Sequence, residues 1–133
     1  MRLSRKSEYA CLALIELAEH YDTGYRRTAD IAAAREIPRN YLEQILLILK
    51  RTGYVSSARG AEGGYKLCKP PGEITLAEIL RLMDGALAPV ESASKYFYEH
   101  TPIENSEKLL GIFRDIRGYI SDKLEKTTFA DLV

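Results

Sequence analysis

A chain of 133 residues with 46% hydrophobic and 29% charged side chains is long enough for one folded domain with an appendage, and that mix excludes a disordered or membrane-embedded protein. The formal net charge is zero, yet residues 1–70 carry 12 Lys/Arg against 8 Asp/Glu while residues 71–133 carry 7 against 11. A basic half joined to an acidic half points to a polyanion facing only the first.

The longest apolar run, residues 9–15, is far too short to cross a bilayer. Arg2, Arg5 and Lys6 ahead of it resemble a signal-peptide start, but Glu8 interrupts the join and Glu16 closes the run, so a cytoplasmic protein is expected. Cys11 and Cys68 form no C-x-x-C pair and sit among Leu, Ala and Lys. Reduced thiols are the expectation, with a disulfide between them as the alternative.

In chain order, a helix is expected over residues 7–21 with Ser7 as its N-cap, apolar on more than one side and broken at residues 22–24. Thr28 then caps a short helix, "TADIAAARE", which the Ile37–Pro38 step ends. Pro38 opens the next helix, to about residue 52, at its first position. Leu42, Ile45, Leu46 and Leu49 fall there at i, i+3, i+4, i+7, a single buried stripe. Arg39, Asn40, Glu43, Gln44, Leu47, Lys50 and Arg51 lie off it, and Gly53 supplies the stop.

"YVSSA" and "GYKLC" read as two short strands around the glycine-rich "RGAEGG". That loop lacks the Lys-Ser/Thr of a P-loop and the spacing of a dinucleotide fingerprint, and prolines follow it where a helix would have to begin. What fits is a hairpin whose turn needs positive φ, with Arg59 at its tip. Thr75 and Glu78 form a capping box for a helix over residues 76–83. Residues 85–101 read as one irregular loop.

Thr101, Pro102 and Glu104 then give a start signal for a helix of about 24 residues, on the order of 36 Å long. Its stripe is Leu109, Phe113, Ile116, Ile120 and Leu124. A stripe of that length exceeds what the preceding elements can cover, so a two-fold homodimer is expected, with Gly111 and Gly118 allowing close approach. The alternative is a helix folded back on its own domain. Thr128 and Asp131 cap a final turn.

Helix, tight connection, helix, then a two-stranded hairpin is the element order of a winged helix-turn-helix, whose second helix enters the major groove and whose wing can reach the minor groove. The fold expected is therefore mainly α: a winged helix-turn-helix over residues 1–84, a loop over 85–101, and a dimerisation helix with tail over 102–133. Asn40, Glu43 and Gln44 stand at i, i+3, i+4 in the N-terminal half of the second helix. Asn and Gln can read adenine, and Glu can accept from cytosine. Arg39, Lys50 and Arg51 suit phosphates, Arg59 suits a narrow minor groove, and Thr28 and Gly60 complete the candidate contact set. The alternative is a solvated helix face.

"YLEQILLILKRTGYVSSARGAEGGYKL", with "RLSRKSEYA" before it, "ITLAEILRLMDG" after it and "TTFADL" at the end, resembles the bacterial repressor family of IscR, CymR and NsrR, the BadM/Rrf type. The resemblance implies a dimeric winged-helix transcription factor binding a pseudo-palindromic double-stranded operator. It implies that Asn40, Tyr41, Glu43 and Gln44 read the major groove, that Arg59 enters the minor groove, and that Arg2, Ser4 and Lys6 touch backbone. Many members hold an iron–sulfur cluster on three cysteines of the loop that corresponds here to residues 85–101, and this loop has none. Glu8 matches a position from which some relatives supply an acidic ligand, and His100 lies in the loop, but a carboxylate and an imidazole without thiolates do not hold an ordinary cluster.

No cofactor is therefore expected, as in the CymR-like branch, whose members can answer to a partner protein. Tyr96, Phe97 and Tyr98 are a candidate contact or ligand-sensing surface; packing against the dimer helix is the alternative. His20 and His100 belong to no catalytic set, no metal-ligand spacing occurs, and no enzyme is expected. Two other readings stay open: an iron- or redox-sensing regulator with an atypical ligand set including Glu8 or His100, and a winged-helix protein-interaction module without DNA binding.

Overall fold

Five helices and one hairpin follow in the order α1 (Arg5–Glu19), α2 (Thr28–Arg35), α3 (Arg39–Arg51), β1 (Val55–Ala58), β2 (Gly64–Leu67), α4 (Leu76–Asp84) and α5 (Glu107–Lys126) in the computed structural model, which describes residues 2–133. Among these residues no helix is long and apolar enough to cross a membrane. The helical stripe predicted for α3 is the buried one: Leu42, Ile45, Leu46 and Leu49 are all at most 1% exposed. They meet Ala10, Ala13, Leu14 and Leu17 of α1, Ile31 of α2 and Ile79 of α4 in one core. The strands pair antiparallel, Val55 opposite Leu67 and Ala58 opposite Gly64.

Helix starts differ from the sequence expectation, for identifiable reasons. Ser4, not Ser7, caps α1: its backbone is extended and its Oγ accepts from the Ser7 amide at 3.1 Å. Ser7 is instead a fully buried residue of the first turn. Thr28 is the first residue of α2, not its cap, and Arg27 precedes it without a side-chain capping bond. Pro38 stands at the N-cap of α3, one position earlier than expected. Glu36 takes a left-handed conformation (φ 54°) to turn the chain sharply between α2 and α3.

The largest shift is in α5. Pro102–Asn105 form only a 3₁₀ turn, Thr101 makes no capping bond, and Ser106 caps the true helix by accepting from the Leu109 amide. A helix of 20 residues, about 30 Å, results. The loop over 85–101 is irregular apart from a 3₁₀ turn at Glu91–Ala93. The capping boxes at Thr75/Glu78 and Thr128/Asp131 both form. The second seats the tail on the first part of the chain: the Phe129 amide donates to Ile74 O at 3.0 Å, and Phe129 is fully buried in the main core.

One charged group holds three of these elements together. Glu16, deep in α1 with its side chain 4% exposed, accepts from Arg26 through Nε (3.0 Å) and Nη2 (2.8 Å), and from Arg35 Nε at 3.0 Å. Arg35 closes α2, while Arg26 pairs by backbone with Tyr65 of β2 in both directions, at 2.7 and 2.8 Å. Helix α1, helix α2 and the root of the hairpin are thus tied to a single carboxylate. Burial alone would raise its pKa, but the hydrogen bonds and charges of Arg26 and Arg35 outweigh that and hold it below the ordinary value of 4.5.

A carboxyl depressed in the folded state binds its proton first in the unfolded chain, so its contribution is intact above pH 4.5 and drains as pH falls below it. Glu16→Gln is expected to cost about 2 kcal/mol at neutral pH, less than a fully dry pair because both guanidiniums keep some water. It should also flatten the acid limb of the stability curve, measured by urea melts between about pH 3 and 7.

Candidate nucleic-acid interface

The face of α3 opposite its buried stripe is open to solvent: Asn40, Tyr41, Glu43, Gln44, Leu47, Lys50 and Arg51 are all exposed. The Asn40 Oδ1 accepts from the Tyr41 amide at 3.0 Å, satisfying one of the orphan donors of the helix start. Arg39 and Glu43 pair across one turn at 3.5 Å, and with both side chains more than half exposed the pair holds them only loosely. Tyr41 meets the Tyr9 ring edge-on at 5.3 Å and thereby braces the start of α3 against α1. The polar groups predicted for base and phosphate contact therefore share one surface, backed by a rigid core.

Beside that surface stands the hairpin, with Arg59 exposed at its tip and Gly60 at φ 99°. Two further glycines are required by close approach. A Cβ on Gly63 would lie 2.3 Å from Ala58 O, and one on Gly64 only 2.2 Å from Arg26 O. Without them the turn could not close, nor could the wing root pair with the segment before α2. Arg27, exposed just ahead of α2, also donates to the Ala61 carbonyl of the turn. Arg59 is consequently presented by a braced loop. Gly60 contributes conformation; Thr28 is half-buried in the first turn of α2.

The N-terminal candidates divide. Arg2 is exposed and Lys6 half-buried, whereas Ser4 is already committed: it caps α1, and both its amide and its hydroxyl hold the Asp84 carboxylate at the end of α4. The sequence expectations do not include the contributions of Arg26, Arg27 and Glu16. The one available signal was an acidic residue set in an apolar run with arginines 10 and 19 positions on.

Groups able to hold a metal are few. Among the described residues, Glu16, Glu19 and His20 are the only group of three whose ligand atoms all lie within 4.8 Å of one another. Two guanidiniums already occupy those carboxylates, Arg35 reaching Glu19 at 2.8 Å as well as Glu16, and they oppose a further cation. His100 pairs with Glu104 in an exposed position, and Glu8 pairs with Arg5. Cys11 is half-buried and Cys68 exposed, neither in a disulfide. Burial and the nearby Asp84 charge push the Cys11 thiol up to about 11, so it stays protonated. Iron–sulfur clusters need thiolates, and this donor set does not fit one.

The chain matches the Rrf2 family model, described as an iron-dependent transcriptional regulator, over residues 3–133. It is 33% identical to the HTH-type transcriptional regulator CymR of Bacillus subtilis, over 99% of this chain and 89% of that protein. To IscR of an Enterobacter species it is 32% identical, over 100% of this chain and 80% of the relative. The solved structure of B. subtilis CymR, the global cysteine regulator of that organism, superposes with a TM-score of 0.80 at 32% identity, covering 99% of this chain and 95% of that one. The chain belongs to the Rrf2 family of winged helix-turn-helix transcriptional regulators, and it is a regulator, not an enzyme.

Proposed function

We propose that this protein is a homodimeric transcriptional repressor that binds a pseudo-palindromic operator without an iron–sulfur cluster. Each subunit lays the N-terminal half of α3 in a major groove, where Asn40, Tyr41, Glu43 and Gln44 meet base edges and Arg39, Lys50 and Arg51 meet phosphates. The wing carries Arg59 into the flanking minor groove, while Arg2, Lys6 and the α2 start at Thr28 lie against the backbone. The observation that carries this reading is the division of α3 into a fully buried apolar stripe and a solvent-exposed face bearing Arg39, Asn40, Glu43, Gln44, Lys50 and Arg51 beside a braced cationic loop.

Dimerisation rests on the other end of the chain. The stripe expected along α5 splits in two: Ile120 and Leu124 pack on Ala77, Leu80 and Leu87 of their own chain. Leu109, Ile112, Ile116 and Tyr119 stand 41–76% exposed in a row. These four, at i, i+3, i+7 and i+10, form the self-complementary patch of the proposed two-fold, with Phe113 at its half-buried edge. Gly111 and Gly118 also have open space where a Cβ would sit, but at about 100° per residue they lie roughly a third of a turn around α5 from this row. The absence of thiols in residues 85–101 supports the cluster-free reading.

Specific binding to the promoter of the regulated gene should weaken steeply with salt as counterions are released, and a dimer that prefers no promoter over random DNA would refute the proposal. Arg59→Ala should reduce operator affinity by about fivefold to tenfold and the salt slope by about one, leaving the thermal melt unchanged. Ile116→Asp should give monomers in sedimentation velocity and reduce operator affinity by more than about tenfold, because one half-site is left to bind alone.

A further inference from the structure

Where the segment before α1, the end of α4 and the C-terminal half of α5 meet, the surface folds into a recess of about 170 Å³. Its floor is aliphatic: Leu80 of α4, Leu87 just beyond that helix, and Ile120 and Leu124 of α5. Leu80 and Leu87 are buried, so the recess is backed by a packed cluster. A dry aliphatic cavity of about 150 Å³ takes up benzene, so this volume has room for a branched hydrocarbon side chain.

Two opposite charges complete the wall. Arg2 and Asp84 both line the recess and both are exposed, which places them at its open side. They do not neutralise each other: Asp84 is held by the Ser4 amide at 3.1 Å and by the Ser4 hydroxyl. Burial alone would raise the Asp84 pKa, but the hydrogen bonds from Ser4 outweigh it and hold the carboxyl below its ordinary value of 3.8, so it is ionised at neutral pH. Ser4 is the N-cap of α1, and its bonds therefore also fix where that carboxylate stands. An apolar ligand with a single charge meets one complementary partner here and one like charge. A carboxylate suits Arg2 but faces Asp84, and an amine the reverse. A ligand carrying both charges on one carbon satisfies the two together.

We propose that the recess binds an apolar α-amino acid of about the size of leucine. Its side chain lies among Leu80, Leu87, Ile120 and Leu124, its ammonium donates to Asp84, and its carboxylate accepts from the Arg2 guanidinium. Aliphatic burial supplies the affinity, and the two charged groups at the rim select the zwitterion. The consequence for DNA rests on the function proposed above, in which Arg2 lies against the DNA backbone. An Arg2 engaged by the ligand carboxylate is withdrawn from phosphate, so occupancy weakens operator binding.

The test is a titration of the full-length protein with L-leucine, followed by amide chemical shifts at fixed ionic strength. Isocaproate, which lacks the ammonium, isoamylamine, which lacks the carboxylate, and glycine, which lacks the side chain, are titrated beside it. Saturable shifts at Leu80, Leu87, Ile120 and Leu124 are expected with leucine, with about tenfold weaker binding of either singly charged analogue and no saturation with glycine. Ala86→Phe, which fills the recess from its own wall, should abolish the leucine shifts without lowering the melt. Saturation centred elsewhere, or equal binding of the analogues or glycine, would overturn the assignment. So would leucine-driven dissociation of the dimer in sedimentation velocity, which would give the recess to a second copy of the chain. At saturating leucine, operator affinity about fivefold lower with a shallower salt dependence is expected, and unchanged operator affinity would break the link to Arg2. Leucine binding by a protein that binds no operator would uphold the site and refute the DNA-binding function.

Discussion

The Glu16 carboxylate is the constraint on which the arrangement of the winged helix-turn-helix depends. A charge placed 3% exposed inside an apolar helix survives only if opposite charges and hydrogen bonds replace the water it has lost. Arg26 and Arg35 do so, and they come from the two segments whose placement matters most. Arg35 sets α2 against α1, and the tight turn at Glu36 then fixes α3 relative to α2. Arg26, paired by backbone to Tyr65, sets the wing. The distance between the exposed face of α3 and Arg59 is thereby a consequence of one ionic cluster plus the core beneath it. Apolar packing alone, being non-directional, would hold these elements together without specifying their angle.

The C-terminal half solves a different problem. Helix α5 divides its faces between its own chain and solvent. Ile120 and Leu124 close over α4, Phe129 anchors the tail in the main core, and the row from Leu109 to Tyr119 is left unpartnered. Helix α5 packs directly on α4 through Ile120 and Leu124. Arg81 is the side chain common to both, since it leaves α4 to meet Glu125 of α5.

Periodicity made much of this legible in advance. The i, i+3, i+4, i+7 stripe of α3, the two strands, the wing turn and both Thr-based capping boxes follow from local rules that act within a few residues. The family resemblance implies base contact for Tyr41 and backbone contact for Arg2, Ser4 and Lys6, which spacing alone does not assign. Local rules failed where longer-range bonds decided. Ser4 displaced Ser7 as the α1 cap because Asp84, 80 residues away, holds its amide and hydroxyl. The Thr101–Glu104 signal produced a 3₁₀ turn because Ser106 offered a better cap. The Glu16 cluster spans 19 positions with no period, and the division of the α5 stripe depends on which face α4 covers.

The central claim, that two copies place the Asn40–Gln44 face in successive major grooves with Arg59 in the flanking minor groove, is tested most directly by hydroxyl-radical footprinting on the promoter. The expected pattern is two protected patches on one face of the duplex, about one helical turn apart, with outer minor-groove protections that vanish in Arg59→Ala. A single unrepeated patch, or a pattern identical in the wild type and Arg59→Ala, would contradict it.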